Sequence, residues 1–466
     1  MIYLDHAATC PMRETALLRM TEAMKNTYGN ASPSYPAAQQ AKAQLDQART
    51  VLAETIGADW REIFFTSGGT EGDNWALIGA AEASELVQPG TNGADSSNAE
   101  GMPGTRGHII TTAIEHHAVL HTCAYLESRG FTVSYLPVDG NGMVRAEDLH
   151  RELDLHPDTF LVSVMMANNE VGTIEPIREL VRTVRDWEKE RNENGFAASR
   201  GKAEKRDEDA ARKRILQRRI LFHTDAVQAY GKIPIDVKTL DVDLLSVSAH
   251  KLGGPKGIGF LYLKKGTQIG ALIHGGSQES GRRAGTENVP AAIGFAAAAK
   301  EAVREMETDG RKVLELAEYF HENLEKTFGN VTSGEGGVHC VWNGPDIAEA
   351  RSETAGGERG AARDAADLGE LCRIPGNVNV AFPGLDQRTL LMNLDLVGIC
   401  ASGGSACTTG AVEPSHVILS MTGDRKRAEG ALRFTLGPEN TREELDTVIR
   451  VLKETIERIC VGATGM

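Results

Sequence analysis

In ILFHTDAVQAYGK (220–232) a short apolar run ends in Asp225, with Gln228 three residues on. An acidic side chain at the carboxyl end of a strand stands where open α/β sheets place their ligands. Alone, it is equally a carboxylate capping the next helix. A second run, DVDLLSVSAH (241–250), ends in Ser248 and His250, with Lys251 next and the glycines of LGGPKGIGF behind it. Those glycines let backbone crowd a ligand. A lysine able to form a Schiff base, one strand after a carboxylate able to pair with a ring nitrogen, suits pyridoxal 5'-phosphate (PLP).

PLP needs a phosphate cradle, and IFFTSGGTEGDNWAL (63–77) reads as a strand, a Ser-Gly-Gly-Thr turn and a helix start. Backbone N–H groups there, with the Thr70 hydroxyl, would hold a dianion, although SGGT is also an ordinary capped turn. In TTAIEHHAVL (111–120) His116 follows another strand end, where an imidazole could lie on a cofactor ring. The group His116, His117, His121 and Cys123 could instead suggest a metal, but no second ligand cluster has suitable spacing, and no metal is expected. VMMANNEVGT (164–173) brings Asn168, Asn169 and Glu170, the asparagines being neutral donors suited to a substrate carboxylate or a ring hydroxyl. Cys407 lies in ICASGGSACTTGAVEPSHV (399–417), a small-residue stretch with nothing large to bury it, unlike Cys123, Cys372, Cys400 and Cys460. Its thiolate would be a strong nucleophile. Arg433, in ALRFTLG, is a planar donor for an amino acid's carboxylate, or else a structural ion-pair partner.

The elements that must position these residues are legible as period and punctuation. Ile63–Thr66, His108–Ile114, Thr132–Leu136, Phe160–Met165, Ile220–Thr224, Leu244–Val247 and Gly259–Leu263 are short, apolar and rich in β-branched residues. Helix-length stretches such as Ala37–Ile56 and Ile177–Glu190 separate them, which predicts an α/β fold with a mostly parallel sheet. Long amphipathic helices over Lys300–Phe328, then strands at Asn377–Phe382 and Ala431–Thr435, predict a smaller α+β domain. Val87–Gly107, Glu190–Arg219 and Ile347–Asp367 read as surface insertions.

Composition bounds the partners. With 50 Lys+Arg against 65 Asp+Glu, a net charge of −15 disfavours bulk nucleic-acid binding, which runs on clustered positive charge. No apolar run is long enough to span a bilayer, and the opening MIYLDHAATCPMRE has no leader pattern. The seven cysteines are scattered without a CxxC pair, so neither a disulfide framework nor a zinc ribbon fits and a cytoplasmic setting is expected.

Taken in order, YLDHAAT, TSGGTEGDN, EHHAVL, MANNEVG, HTDAVQAYGK, SVSAHKLGGPKGIG, GSQESGRRAGTEN, SGGSACTTG, EPSHV and RFTLG resemble the cysteine desulfurases of the class-V aminotransferase family. SGGSACT resembles the group whose catalytic cysteine sits on a long flexible loop. The resemblance implies a fold-type-I PLP enzyme: residues 15–300 as the large cofactor domain, residues 1–14 and 301–466 as the small domain, and a homodimer. It implies that Lys251 bonds the cofactor, Asp225 pairs with its ring nitrogen and Gln228 with its phenolic oxygen, while His116 stacks on the ring and assists proton transfer. Gly69, Thr70, Ser248 and His250 would hold the phosphate with Thr286 of the partner subunit; Asn169 and Arg433 would position the substrate, and Cys407 would accept its sulfur. L-cysteine would yield L-alanine and a Cys407 persulfide, passed to an acceptor such as an iron–sulfur scaffold or a thiolation enzyme. A selenocysteine lyase or a class-V transaminase would share the PLP residues, whereas a non-catalytic scaffold would be expected to lack Lys251 or Cys407. Tyr35, Glu175 and Ser280 depart from the family pattern, at positions that bear on the substrate entrance rather than the reaction.

Overall fold

The computed structural model describes residues 1–86, 106–199, 219–329, 339–347, 368, 371–404 and 413–464. β1 (Ile2–Tyr3) lies apart from the central sheet, which contains β2 (Ile63–Thr66), β3 (His108–Thr112), β4 (Thr132–Leu136), β5 (Thr159–Ser163), β6 (Leu221–Asp225), β7 (Leu244–Ser248) and β8 (Gly259–Leu263). The strand order is β2-β8-β7-β6-β5-β3-β4, with β8 antiparallel to both its neighbours and every other pairing parallel. All of these strands but β4 are buried along their whole length, as continuous apolar runs covered on both faces should be. Because β2, β3, β5, β6 and β7 run the same way, the residues following them emerge along one edge of the sheet.

A second core forms around the antiparallel sheet β9 (Val341–Trp342), β10 (Asn377–Ala381) and β12 (Ala431–Thr435), with the parallel pair of β1 and β11 (Ile399–Cys400) beside it. Leu4, Phe320, Phe382, Phe434 and Leu452 meet there, while Phe222, Tyr230, Phe260 and Phe295 belong to the core beneath the large sheet. One helix, Val289–Phe328, serves both cores. It begins 11 residues before the expected Lys300, because the alanine-rich AAIGFAAAA is a strong helix former, and Asn288 caps it by accepting the Ala291 N–H at 3.2 Å. Its small side chains admit a close neighbour: a Cβ on Gly294 would stand 3.3 Å from the Ala16 carbonyl oxygen.

The first residues of the chain tie the two cores together at the sheet edge. Thr435 donates its N–H to the Leu4 carbonyl at 2.8 Å, and further along Cys10 donates to His250 at 3.0 Å and Arg13 to Gly253 at 2.8 Å. The segment thus runs from the small core directly over Lys251.

The segments expected as insertions fall mainly outside the described residues, with one exception. The helix Ile177–Ser199 continues nine residues past Glu190, since KERNENGFAAS is polar yet mostly helix-compatible, and polarity alone was a poor mark of its end. The attachment points are informative: Arg106 precedes β3 and Arg219 precedes β6, at the amino ends of strands five residues long. Chemistry at the carboxyl ends is then a strand length away, about 17 Å. Replacing residues 201–217 with a short Gly/Ser linker should leave PLP absorbance and alanine formation within about threefold of wild type, a barrier change below roughly 1 kcal/mol. A folded, PLP-containing deletion that makes no alanine would contradict this placement.

Candidate active site

The carboxyl edge of the sheet collects the residues singled out by chemistry. Asp225 is the last residue of β6; its Oδ1 accepts the Val227 N–H at 2.9 Å, which leaves Oδ2 for another partner. Burial pushes its carboxyl up to about 6, opposed by the Val227 N–H and by Lys251, so it is mostly ionised at neutral pH and a cationic partner would hold it so. Lys251 follows β7 in a short 3-10 turn, its Nζ donating to the Ala7 and Ala8 carbonyls at 2.5 and 2.9 Å. Burial brings its ammonium down to about 8, helped by the nearby cations Lys232 and Arg433. A substantial share is therefore neutral amine at mildly alkaline pH, as a base or nucleophile requires.

His116 caps the helix His117–Ser128, with Nδ1 accepting the Ala118 N–H at 3.1 Å. That bond assigns the proton to Nε2, because a ring nitrogen that accepts cannot carry one. Burial lowers the imidazole to about 4, with Lys251, His117, His416 and His121 adding to the effect, so His116 is neutral at physiological pH. No group of three or more His, Cys, Asp or Glu is arranged to hold a metal ion among the described residues.

Gly68 joins β2 to the helix Gly69–Leu86, whose first residues are Gly69 and Thr70, and both glycines face Ser248. A Cβ on Gly69 would meet Val227 Cγ2 at 2.5 Å, and one on Gly68, at φ +154, would stand 3.5 Å from Ser248 Oγ. The bare backbone leaves a concave start to an 18-residue helix, flanked by a hydroxyl, which fits a phosphate. His250 places Nδ1 3.1 Å from Thr9 Oγ1 and is lowered to about 4, chiefly by burial, so it would meet a phosphate as a neutral donor. Together with Asp225 and Lys251, this set fits PLP at both its phosphate and its ring nitrogen.

Thr286 is solvent-exposed, in a segment pinned by the Arg283–Glu71 ion pair at 2.8 Å. Glu279 of the same stretch is held at φ 46 by two 2.7 Å bonds from Arg49. Ser280 beside it sits at φ 59, in the left-handed region. Tyr35 is the exposed residue before the helix Pro36–Glu54.

Substrate-side residues are more constrained than their types imply. Arg433 on β12 is buried; it donates Nη2 to Asp5 Oδ1 at 2.7 Å and Nη1 to the Asn169 carbonyl at 3.0 Å, while its buried Nε has no partner. Asp5 is a site residue that the sequence reading passed over, although it stands in the YLDHAAT motif. Asn168 is not available as a substrate donor: its Nδ2 bonds the Ile114 carbonyl and its Oδ1 accepts the Glu170 and Val171 N–H groups, closing a turn. Asn169 has a partly exposed side chain and remains the candidate of the pair.

Cys407 lies outside the described residues, but the two roots of its segment do not. At the first, Ser402 and Arg433 exchange backbone hydrogen bonds, and a Cβ on Gly404, at φ +90, would stand 2.6 Å from Glu170 Oε2. At the second, Ser415 Oγ donates to the same Glu170 oxygen at 2.5 Å and caps the helix His416–Thr422. Glu170 thus lies against both ends of residues 405–412, bonded at the second and in close packing with Gly404 at the first. The carboxylate itself was visible in MANNEVG, but its partner is 245 residues away.

Glu175, where the family pattern has glutamine, is buried and accepts the Val144 N–H through Oε2 at 2.9 Å, while Oε1 has no partner. Burial raises its carboxyl well above the ordinary range, which favours the neutral acid, a near-isostere of the amide. A raised folded-state pKa gives stability that is complete below the ordinary carboxylate pKa and is lost as pH rises. Glu175→Gln should therefore stabilise the fold at pH 8 by about 1 kcal/mol, roughly 1 °C in unfolding midpoint for a chain of this length, and by less at pH 5. Thermal melts at both pH values check the sign; a melting point lowered at pH 8 would contradict the neutral-acid reading.

The family described as Aminotransferase class-V matches residues 2–189 and 206–335. The cysteine desulfurase IscS of Dictyoglomus turgidum is 39% identical over 459 residues, covering 98% of this chain and 95% of that protein. The IscS of Methanosarcina thermophila is 38% identical, covering 98% and 92%. Among solved structures, a NifS-like protein superposes with a TM-score of 0.75 at 33% identity, covering 98% of this chain and 99% of the other. A structure of SspA in complex with cysteine gives 0.66 at 27% identity, covering 95% and 100%. With those relatives matching nearly end to end, and with the lysine, carboxylate and glycine turn gathered at one sheet edge, the chain belongs to the cysteine desulfurases of the class-V aminotransferase family.

Proposed function

We propose that this protein takes the sulfur from L-cysteine, releases L-alanine and holds the sulfur as a persulfide on Cys407. The observation that carries the reading is the convergence of Asp225, Lys251 and His116 on an edge where the roots of the Cys407 segment are tied to Arg433 and Glu170. Bound PLP would supply an electron sink for the substrate's Cα. Gly69, Thr70, Ser248 and His250 would hold its phosphate, Asp225 its ring nitrogen, Gln228 its phenolic oxygen and Lys251 its aldehyde carbon. Arg433 and Asn169 orient the substrate carboxylate; the neutral Lys251 amine removes the Cα proton, and His116 moves a proton through Nε2. The Cys407 thiolate attacks the substrate sulfur, forming an S–S bond as the S–Cβ bond breaks, and the carbon skeleton takes up protons to leave as alanine.

Residues 15–300 then act as the cofactor-binding part, while residues 1–14 and 301–466 carry the sulfur, a division supported by the two separate cores. The acceptor would be a thiol-bearing protein, such as an iron–sulfur scaffold or a thiolation enzyme. No helix among the described residues is long and apolar enough to cross a membrane. Equimolar alanine and Cys407-bound persulfide from cysteine would support the reading. Faster selenide release from selenocysteine, without persulfide, would favour a lyase, and keto-acid formation a transaminase.

The exposure of Thr286 in its own subunit supports a shared site in a homodimer. A 1:1 mixture of Lys251→Ala and Thr286→Ala chains, each with little activity alone, should recover roughly a quarter of wild-type turnover, since about half of the dimers are mixed and each of those has one of its two sites intact. Verified heterodimers with no recovery would argue against a partner-supplied threonine.

A further inference from the structure

A cleft of about 520 Å³ reaches Lys251 between the first residues of the chain and the helix Val289–Phe328, and one of its walls carries a second lysine, Lys232. Gly231, at φ +80, turns the chain just before it. Lys232 donates Nζ to Gln228 Oε1 at 3.4 Å; Gln228 donates Nε2 to the Ala7 carbonyl at 3.0 Å; and Lys251 donates Nζ to that same carbonyl. Two ammonium groups are thus joined through one amide and one carbonyl. An ammonium can only donate, so the end of the amide facing Lys232 must be its oxygen, and the end facing Ala7 must be its NH₂.

We propose that Lys232 is a positioning residue, which fixes the Gln228 amide with its NH₂ end toward Ala7, Lys251 and the cofactor's phenolic oxygen. The inference rests on the reading of the site as a PLP site. Without Lys232 the Ala7 carbonyl alone holds the amide, and its oxygen end loses the donor that keeps the NH₂ end on the Lys251 side. The charge of Lys232 acts in the same direction on Lys251. The groups facing Lys251 are Lys232 and Arg433, which disfavour its protonation, and Asp225 and Cys10, which favour it. His116 and His250 are both lowered and neutral. Removing Lys232 therefore makes the Lys251 nitrogen easier to protonate.

The test uses the full-length holoenzyme and the apoenzyme prepared from it. In Lys232→Met, the pH midpoint of the cofactor's absorbance change should rise by about one unit. The midpoint for modification of Lys251 in the apoenzyme by fluorodinitrobenzene, read on the labelled peptide, should rise likewise. Lys232→Arg, which keeps the charge and the donor, should restore both to within about 0.3 unit. A merely structural lysine would lower melting temperature or cofactor affinity without moving either midpoint. A Lys232→Met holoenzyme with wild-type midpoints, or a Lys232→Arg protein behaving like it, overturns the proposal. If Lys232→Met does not fold, Lys232→Gln is read by the same criteria. Failure of the PLP reading is seen separately: borohydride would then fix the cofactor to a lysine other than Lys251 in the wild-type protein, while the apoenzyme titration would still report the coupling of the two lysines.

Discussion

Lys251→Ala should lower alanine formation from cysteine by at least about 10⁴-fold, because one side chain both holds the cofactor and moves the substrate's Cα proton. The structure gives the second role physical content. The Lys251 Nζ is held by two carbonyls of the N-terminal segment, and its ammonium is brought down to about 8 by burial and by Lys232 and Arg433. At pH 7.5 roughly a quarter of such a group is neutral, against about a tenth of a per cent for an ordinary lysine. The sign follows for the wild type: a lowered pKa puts the neutral base above about 8, so turnover should climb as pH rises toward that value. The variant should still bind PLP through its phosphate cradle and Asp225, with an altered absorbance maximum. Borohydride should fix PLP to the Lys251 peptide of the wild type and to nothing in the variant. Retention of even one per cent of turnover, or labelling elsewhere, would remove Lys251 from this role.

Cys407→Ala should have the second-largest effect: no persulfide, alanine formation down by at least about 10³-fold, and cofactor binding intact. Neither root of its segment touches Asp225, Lys251 or the glycine turn, so the cofactor's response to added cysteine should persist as a spectral change. Other thiols are poorly placed to substitute. Cys123 is buried and raised far above the ordinary thiol range, and Cys340 is raised to about 11. Cys10 comes nearest to the chemistry, but burial raises it too, and its Sγ–H lies 3.1 Å from the Lys251 carbonyl oxygen. Wild-type turnover in Cys407→Ala would defeat the assignment, and Cys10 would be the first thiol to test in its place.

What the sequence disclosed and what it withheld follow from the range of the interactions. Strand ends were legible because each is a short β-branched run closed by polar or glycine residues, and a carboxylate or lysine at such an end has a fixed place in a parallel sheet. Asp225, Lys251 and the Gly69–Thr70 turn could therefore be found without a structure. The start of the helix Val289–Phe328 was missed because alanine carries little amphipathic signal, although it forms helix well. Asn168 was misjudged because an asparagine that closes a turn and one that greets a substrate have the same side chain. Asp5 and Glu170 owe their significance to partners across the fold: Asp5 meets Arg433 428 residues on, and no local pattern announces such a pair.

The close packing of Gly404 against Glu170, with its N–H held by Ser402 Oγ, also sets a leash. Between Gly404 and Cys407 there are three peptide units, and a fully extended chain advances at most about 3.6 Å per residue. Whatever course the segment takes, the Cys407 Cα stays within about 11 Å of Gly404, and its sulfur only a side chain farther. On the proposed reading, the sulfur carried by Cys407 is confined to a small sphere centred on Gly404. A thiol-bearing recipient of the kind proposed would have to bring its thiol into that sphere, on a protruding loop or tail rather than at the bottom of a pocket. Lengthening the leash by inserting residues after Gly404 would enlarge the sphere at the expense of aim, and recipients would then be sorted by the reach of their own thiols.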